Sequence, residues 1–369
     1  MNWKNLSNMW RVFVLLLLAF MFEVSLQDSV SKDSRIIFSK KPPQPKTFSG
    51  TIVLNSSFQM PVINASANVI DHTTGIVSTW IIPSAYILAI LVGIPSNVFV
   101  LTCLSGRKNL STSILYFSLA VSDLLLLISL TFRVHYHLNN NDWIFGELAC
   151  KMVTACFYGN IYCSIHAHMC ISVMRYLAVV HPFIYRAMSK KYYGICTSLS
   201  IWMVFAIAMI PEFMIQQSYQ VLEQKMVTCH DIQSYEKAFN RALIPYRLSL
   251  ICLGFILPSL VITFAYGSII YHLNRSSRDW KHYIKASTLV FGIFLVCFSP
   301  CNALLFAHYV KLYTQQQYDL YYYYRAAVCL CSFHSCLDPF LSYLLTKTST
   351  SQAKFTPFSS SASVALSMS

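Results

Sequence analysis

The sequence predicts an all-α membrane protein, a bundle of seven transmembrane helices with its amino terminus outside the cell and its carboxyl terminus in the cytoplasm. Three observations carry this reading. Of the 369 residues, 56% are hydrophobic and only 11% are charged, a balance foreign to a domain with a fully solvated surface. The apolar residues gather into seven long segments, each near the ~20 residues that a hydrocarbon core demands. Lysine and arginine concentrate in alternate connections between those segments. The formal net charge of +13 therefore reads as membrane orientation. The cations form no patch interleaved with aromatics, so membrane lipid is an expected partner and nucleic acid is not.

The first element lies outside the bundle. Lys4 and Arg11 precede the apolar run Val12 to Phe22, which is too short to span, and Ser25, Gln27 and Asp28 follow it. Residues 1–27 read as a signal peptide. Residues 28–79 turn to Ser, Lys, Pro, Asn and Thr with too few aliphatics for a core of their own, and are expected as an extended extracellular exodomain. Asn55 and Asn64 open glycosylation sequons within it.

The transmembrane domain, 80–346, holds the seven segments: Trp80 to Leu104, Ile114 to His137, Leu148 to Val180, Tyr193 to Ile215, Leu243 to His272, Tyr283 to Val310 and Leu320 to Leu345. Backbone groups that face lipid must be bonded within their own segment, so each is expected as a helix. The connections after the first, third and fifth carry Arg107, Lys108, Arg186, Lys190, Lys191, Arg275, Arg278 and Lys281, and so face the cytosol. The opposite connections hold Asp142, Glu147, Glu223, Asp231, Glu236 and Asp319. Residues 347–369 form a short cytoplasmic tail.

Most of the thirteen cysteines sit inside apolar runs and read as small buried hydrophobes. Cys150 and Cys229 alone lie where an oxidising compartment reaches them, and a disulfide between them would pin the loop that carries Cys229 over the mouth of the third helix, worth roughly 4 kcal/mol in the entropy model. Asp123 and Asp338 are acids deep in the second and seventh spans, where a charge is costly and points to function. They can share a proton, a small cation or a water cluster, or bond neighbouring helices. His166 and His168 are two apart on a helix, hence on different faces and poor joint metal ligands, and His334 reads as a packed core histidine. Pro211, Pro258, Pro300 and Pro339 interrupt helices and permit bends. No nucleophile, base or metal cluster supports an enzyme.

Gly93 with Asn97, Leu119-Ala120-x-x-Asp123, Cys150, Arg175-Tyr176, Trp202, Pro258, Cys297-Phe298-Ser299-Pro300 and Asp338-Pro339 recur in the order seen in rhodopsin-like (class A) G-protein-coupled receptors, which the chain resembles over all seven spans. Within them, the run Asn139 to Glu147, the run Phe157 to Ser164, and Cys229-His230-Asp231 resemble the proteinase-activated receptors. Lys46 to Gly50 and Lys285-Ala286-Ser287 are most similar to the third, thrombin-receptor subtype.

The resemblance implies a receptor switched on by a thrombin-like or trypsin-like serine protease. Cleavage after Lys46 would free the amine of Thr47 and expose a tethered ligand, Thr47-Phe48-Ser49-Gly50. Arg35-Ile36 is the alternative bond. The chain from Thr47 to Trp80, taken as flexible, has an r.m.s. reach of about 30 Å, enough to fold back over the mouth. Asp231 is the expected partner of the new amine, with His230 beside it and Glu236 and Glu223 as rivals. No acid occurs from Thr51 to Ile70, so the acidic segment that docks thrombin in its receptors has no counterpart. On the inner side, the resemblance assigns Arg175 and Tyr176 to a heterotrimeric G protein. It assigns Asp123, Ser164 and Asp338 to an allosteric sodium ion, with no cofactor required.

Two positions depart from the family pattern. Met174 stands where an acid normally pairs with the arginine, and Ser342 stands where a tyrosine follows Asp338-Pro339, with Tyr343 about 100° around the helix. These departures raise the alternative of a non-signalling, protease-binding cofactor or a heteromer partner of another receptor of the family.

Overall fold

A computed structural model describes residues 48–53, 61–65, 75, 77–105, 111–221, 226–233, 238–275, 281–315 and 320–354. The signal peptide, Arg35, Ile36, Lys46, Thr47, Asn55, Glu223 and Glu236 lie outside these residues. Among them, seven long helices account for the seven apolar segments. Helix α1 opens with the π-helical turn Val77–Ile81 and continues as Ile82–Ser105; α2 is Ser111–Leu138, α3 Gly146–Val180 and α4 Lys190–Met214. Helix α5 runs through Ala238–Ile251, the π-helical turn Cys252–Ile256 and Leu257–Asn274; α6 is Lys281–Gln315 and α7 Leu320–Lys354. The backbone of α7 stays helical past residue 346, where the tail was expected to begin. A short helix, Pro182–Ala187, follows α3.

The order of packing follows from which helices are apolar all round. In α3 every residue from Asn160 to His168 is buried, which is the mark of a central helix. It packs against α2, α4 and α5, while α7 packs between α6 and α1. By contrast, α1 leaves Leu88, Leu91, Phe99 and other large apolar side chains outward, as a lipid-facing helix does.

The residues that carried the resemblance hold these helices together. Asn97 Nδ2 donates to the carbonyls of Gly93 (2.9 Å) and Ser335 (2.8 Å), tying α1 to α7. Trp202 Nε1 donates to Ser118 Oγ at 2.8 Å, tying α4 to α2. In α5 the π-helical turn immediately precedes Leu257-Pro258, so the backbone accommodates the missing proline N–H by widening one turn. Pro211, Pro300 and Pro339 lie inside α4, α6 and α7.

Two features differ from the all-helical expectation. The exodomain is not extended coil throughout: Phe48–Val53 (β1) and Val62–Ala65 (β2) are strands, joined with Ser218–Val221 (β3), Val227–Cys229 (β4) and Ile232–Gln233 (β5) in one sheet of order β4-β3-β2-β1-β5. The β-branched residues Thr51, Ile52, Val53, Val62 and Ile63 suit strands, and the β3–β4 hairpin offers an open edge for β2 to pair with. The second difference concerns cysteine. Cys150 and Cys229 are bonded, with S–S 1.99 Å and Cα–Cα 5.8 Å, but Cys301 and Cys331 are bonded as well, between α6 and α7 inside the bundle. Their place inside apolar runs reads as that of small buried hydrophobes, and the structure corrects that reading for both of the latter.

Candidate functional site

The Cys150 end of the bundle is closed by the loop between α4 and α5. The run from Asn139 to Glu147 holds that loop through backbone contacts. Asp142 Oδ1 accepts from the N–H of Val227 (2.8 Å), and the N–H of Trp143 donates to the carbonyl of Val227 (2.8 Å). Glu147 accepts from the N–H groups of Gln217 (2.9 Å) and Ser218 (2.7 Å) and from Ser218 Oγ (2.6 Å). Asn140, Asn141 and Gly146 take positive φ, a conformation that Asn tolerates better than most side chains and Gly adopts freely. This motif is therefore a mount for β3 and β4.

Beneath the loop lies a small cavity of about 20 Å³, lined by Tyr86, Arg133, His137, Phe157, Tyr158, His230, Asp231, Tyr324 and Arg325 among others. Asp231 is buried and already partnered: Tyr136 donates to its Oδ2 at 2.9 Å, and Arg325 Nη2 stands 3.5 Å from the same oxygen. Arg325 also donates to Ser78 Oγ at 2.8 Å. His230, at φ 67°, is paired through Nδ1 with Gln217 Oε1 at 2.6 Å, and its ring meets that of Tyr158. Arg133 lies over the ring of Phe157 at 4.4 Å, while its Nε and Nη2 are buried without a hydrogen-bond partner.

The strand β1 reaches this same place. It pairs in parallel with β5, Phe48 opposite Ile232 and Ser49 opposite Gln233, directly after Asp231 in the chain.

Midway along the bundle the two buried acids meet. Asp123, His334 and Asp338 bring one ligand atom each to within 4.8 Å of one another. His334 Nε2 lies 3.5 Å from Asp123 Oδ1 and 3.2 Å from Ser164 Oγ, and His168 Nε2 lies 3.1 Å from Asp338 Oδ1. Asn160 Nδ2 donates to Asp123 Oδ1 (3.2 Å) and to Ser122 Oγ (2.9 Å). His334 is thus part of this cluster, not a bystander in the core. His166 turns the other way, bonding the carbonyl of Tyr162 and meeting the ring of Phe205.

At the opposite end, Arg175 is nine-tenths buried and donates to Tyr116 Oη at 3.3 Å. Tyr176 Oη pairs with His181 Nε2 at 3.0 Å, and its ring meets Phe264 of α5. Met174 packs with Met188 and Tyr193 in a separate apolar cluster that joins α3, the short helix and α4.

Sequence reasoning missed four ionisable residues. Glu212 and Arg247 form a buried two-point ion pair between α4 and α5, with both N···O distances 2.7 Å. Arg133 and Arg325 reach the cavity under the loop. Each is a charge within an apolar span, but closer to the span's end than Asp123 or Asp338, where it reads as interfacial.

The sequence model of the seven-transmembrane receptors of the rhodopsin family matches residues 96–341. The bovine (Bos taurus) protein "Proteinase-activated receptor 3" is 43% identical over 270 residues, 73% of this chain and 72% of its own length. The Homo sapiens protein of that name is 39% identical over 294 residues, 79% of this chain and 78% of its own. "Proteinase-activated receptor 2" of Mus musculus is 30% identical over 357 residues, 93% of this chain and 88% of its own.

Proposed function

The chain belongs to the proteinase-activated receptors of the rhodopsin family, and from that membership we propose that a trypsin-like serine protease, thrombin among the candidates, cuts after Lys46 and exposes a tethered ligand beginning Thr47-Phe48-Ser49-Gly50. As a member of this family it is a multi-pass receptor of the cell membrane and not an enzyme.

One observation supports the choice of Lys46 over Arg35. The strand β1 begins at Phe48, two residues beyond Lys46, and runs parallel to β5 from Ile232. Phe48 follows Thr47 in the chain as Ile232 follows Asp231, and we take the amine created at Thr47 as the new partner of the carboxylate that Tyr136 and Arg325 now share. Exchange of Arg325 for the new ammonium at Asp231 is the proposed trigger, and it frees a guanidinium between α7 and α1. The inner end couples through Arg175 and Tyr176 to a heterotrimeric G protein. The cofactor alternative draws little from Met174, because Tyr116 bonds Arg175 where an adjacent acid would have.

The test has two stages. Cells expressing the chain are treated with thrombin or trypsin, the new amino termini are sequenced and calcium is recorded. We expect Thr47 as the new terminus and a calcium response that K46A loses and R35A keeps. Cleavage only at Arg35 would overturn the assignment of the ligand, and confirmed cleavage at Lys46 with no response in any G-protein pathway would overturn signalling.

A further inference from the structure

We propose that the buried cluster of Asp123, His334 and Asp338 is a site for a divalent transition metal of zinc-like chemistry, in place of the sodium ion that an all-oxygen set would hold. Sodium is a hard cation that is best surrounded by carboxylate, hydroxyl and carbonyl oxygens, whereas imidazole nitrogen favours zinc, copper and nickel. In this chain the side chain bonded to Ser164 Oγ, one of the three expected sodium ligands, is the imidazole of His334.

The geometry prepares each ligand. His334 Nδ1 bonds the backbone carbonyl of Cys331, which makes Nδ1 the donor and turns Nε2 toward Asp123 and Ser164. Such a backbone bond at the distal nitrogen is the usual support of a metal-binding histidine. Each acid has one oxygen engaged and one idle. Asp123 Oδ1 accepts from Asn160, and Asp338 Oδ1 is held by His168. Asp123 Oδ2 and Asp338 Oδ2 are buried without any hydrogen-bond partner, in side chains 0% and 3% exposed. Two idle carboxylate oxygens and His334 Nε2, now shared with Ser164 Oγ, make a three-ligand set on α2 and α7, and Asn160 Oδ1, also buried and unpartnered, is a fourth donor from α3. Charge points the same way, since a dication balances two carboxylates with neutral imidazoles and sodium leaves one uncompensated in an apolar bundle. His168 acts as a positioning residue through Asp338.

Because the ligands come from α2 and α7, with α3 beside them, metal would cross-link the bundle at its middle. The experiment uses the full-length receptor in lipid nanodiscs, stripped with a chelator and then given zinc, cobalt(II) or sodium. Micromolar zinc is expected to raise Tm by several degrees, and cobalt(II) to give a visible d–d absorption at one equivalent. Both signals should vanish in H334A and in the more conservative H334N, the second guarding against misfolding. H168A should keep the cobalt band but weaken affinity about 10- to 100-fold, as loss of an outer-shell partner does. H334N, now offering oxygen at that position, should gain a sodium-dependent Tm shift. The proposal is overturned if the parent chain responds to sodium and not to zinc, if it responds to neither, or if the zinc response survives H334A and so arises at the free cysteines or elsewhere.

Discussion

A buried ion pair makes each partner hostage to the other. Glu212 and Arg247 have side chains only 8% and 1% exposed, and their two contacts of 2.7 Å join α4 to α5. E212A leaves a guanidinium in a dry site, and we expect it to destabilise the receptor by about 3–5 kcal/mol. E212L/R247M, which removes both charges, should recover most of that loss. Thermal unfolding of the three proteins in nanodiscs checks the order. These residues also show where reading a sequence stops. Asp123 and Asp338 stood out because apolar residues flank them deeply. Glu212, Arg133, Arg247 and Arg325 lie within a turn or two of a span end, where a charge reads as interfacial, and only the tertiary fold turns them inward. His334 hid for another reason: an imidazole in an apolar run carries no sign of its partner on another helix.

At the scale of elements, the seven helices were legible because length and hydropathy alone define a span, and the prolines marked where they would deviate. The form of the deviation was not legible, since a π-helical turn is the response of the backbone and not of any one side chain. In α5 that turn brings Gly254 against α3. A Cβ at Gly254 would lie 2.7 Å from Tyr162 Cδ1 and 2.9 Å from Cε1, and the Tyr162 ring cannot easily withdraw because it stacks on Phe205, 5.9 Å away at an interplanar angle of 6°. We expect G254A to cost about 1–3 kcal/mol by overpacking. In a Y162A background the same change should cost much less. A double-mutant cycle on Tm, with the coupling between the two sites as its readout, decides whether the close approach of α5 to α3 is the cause. The strands were illegible for a related reason: β1 and β2 are too short to fold alone, and they exist because the loop between α4 and α5 supplies β3, β4 and β5.

For the whole molecule, the sheet makes a mechanical connection from the exodomain to α3. The Cys150–Cys229 bond and the acceptors Asp142 and Glu147 fix the loop strands to the α2–α3 end, and β1 hangs on that sheet through β2 on one side and β5 on the other. A ligand delivered this way is intramolecular, with an effective concentration in the millimolar range. A free peptide copying residues 47–52 should therefore activate the uncleavable K46A chain only at about millimolar concentration. The sheet itself can be tested apart from cleavage. Adjacent N–H groups of a strand point to opposite sides, so T51P/I52P removes the one that faces β2 whichever it is. We expect cleavage after Lys46 at the parental rate, a protease-evoked calcium response reduced at least tenfold, and an unchanged response to the free peptide. A parental protease response in T51P/I52P would mean that the tethered end reaches Asp231 without the sheet, and the exodomain strands would then be a resting-state feature only.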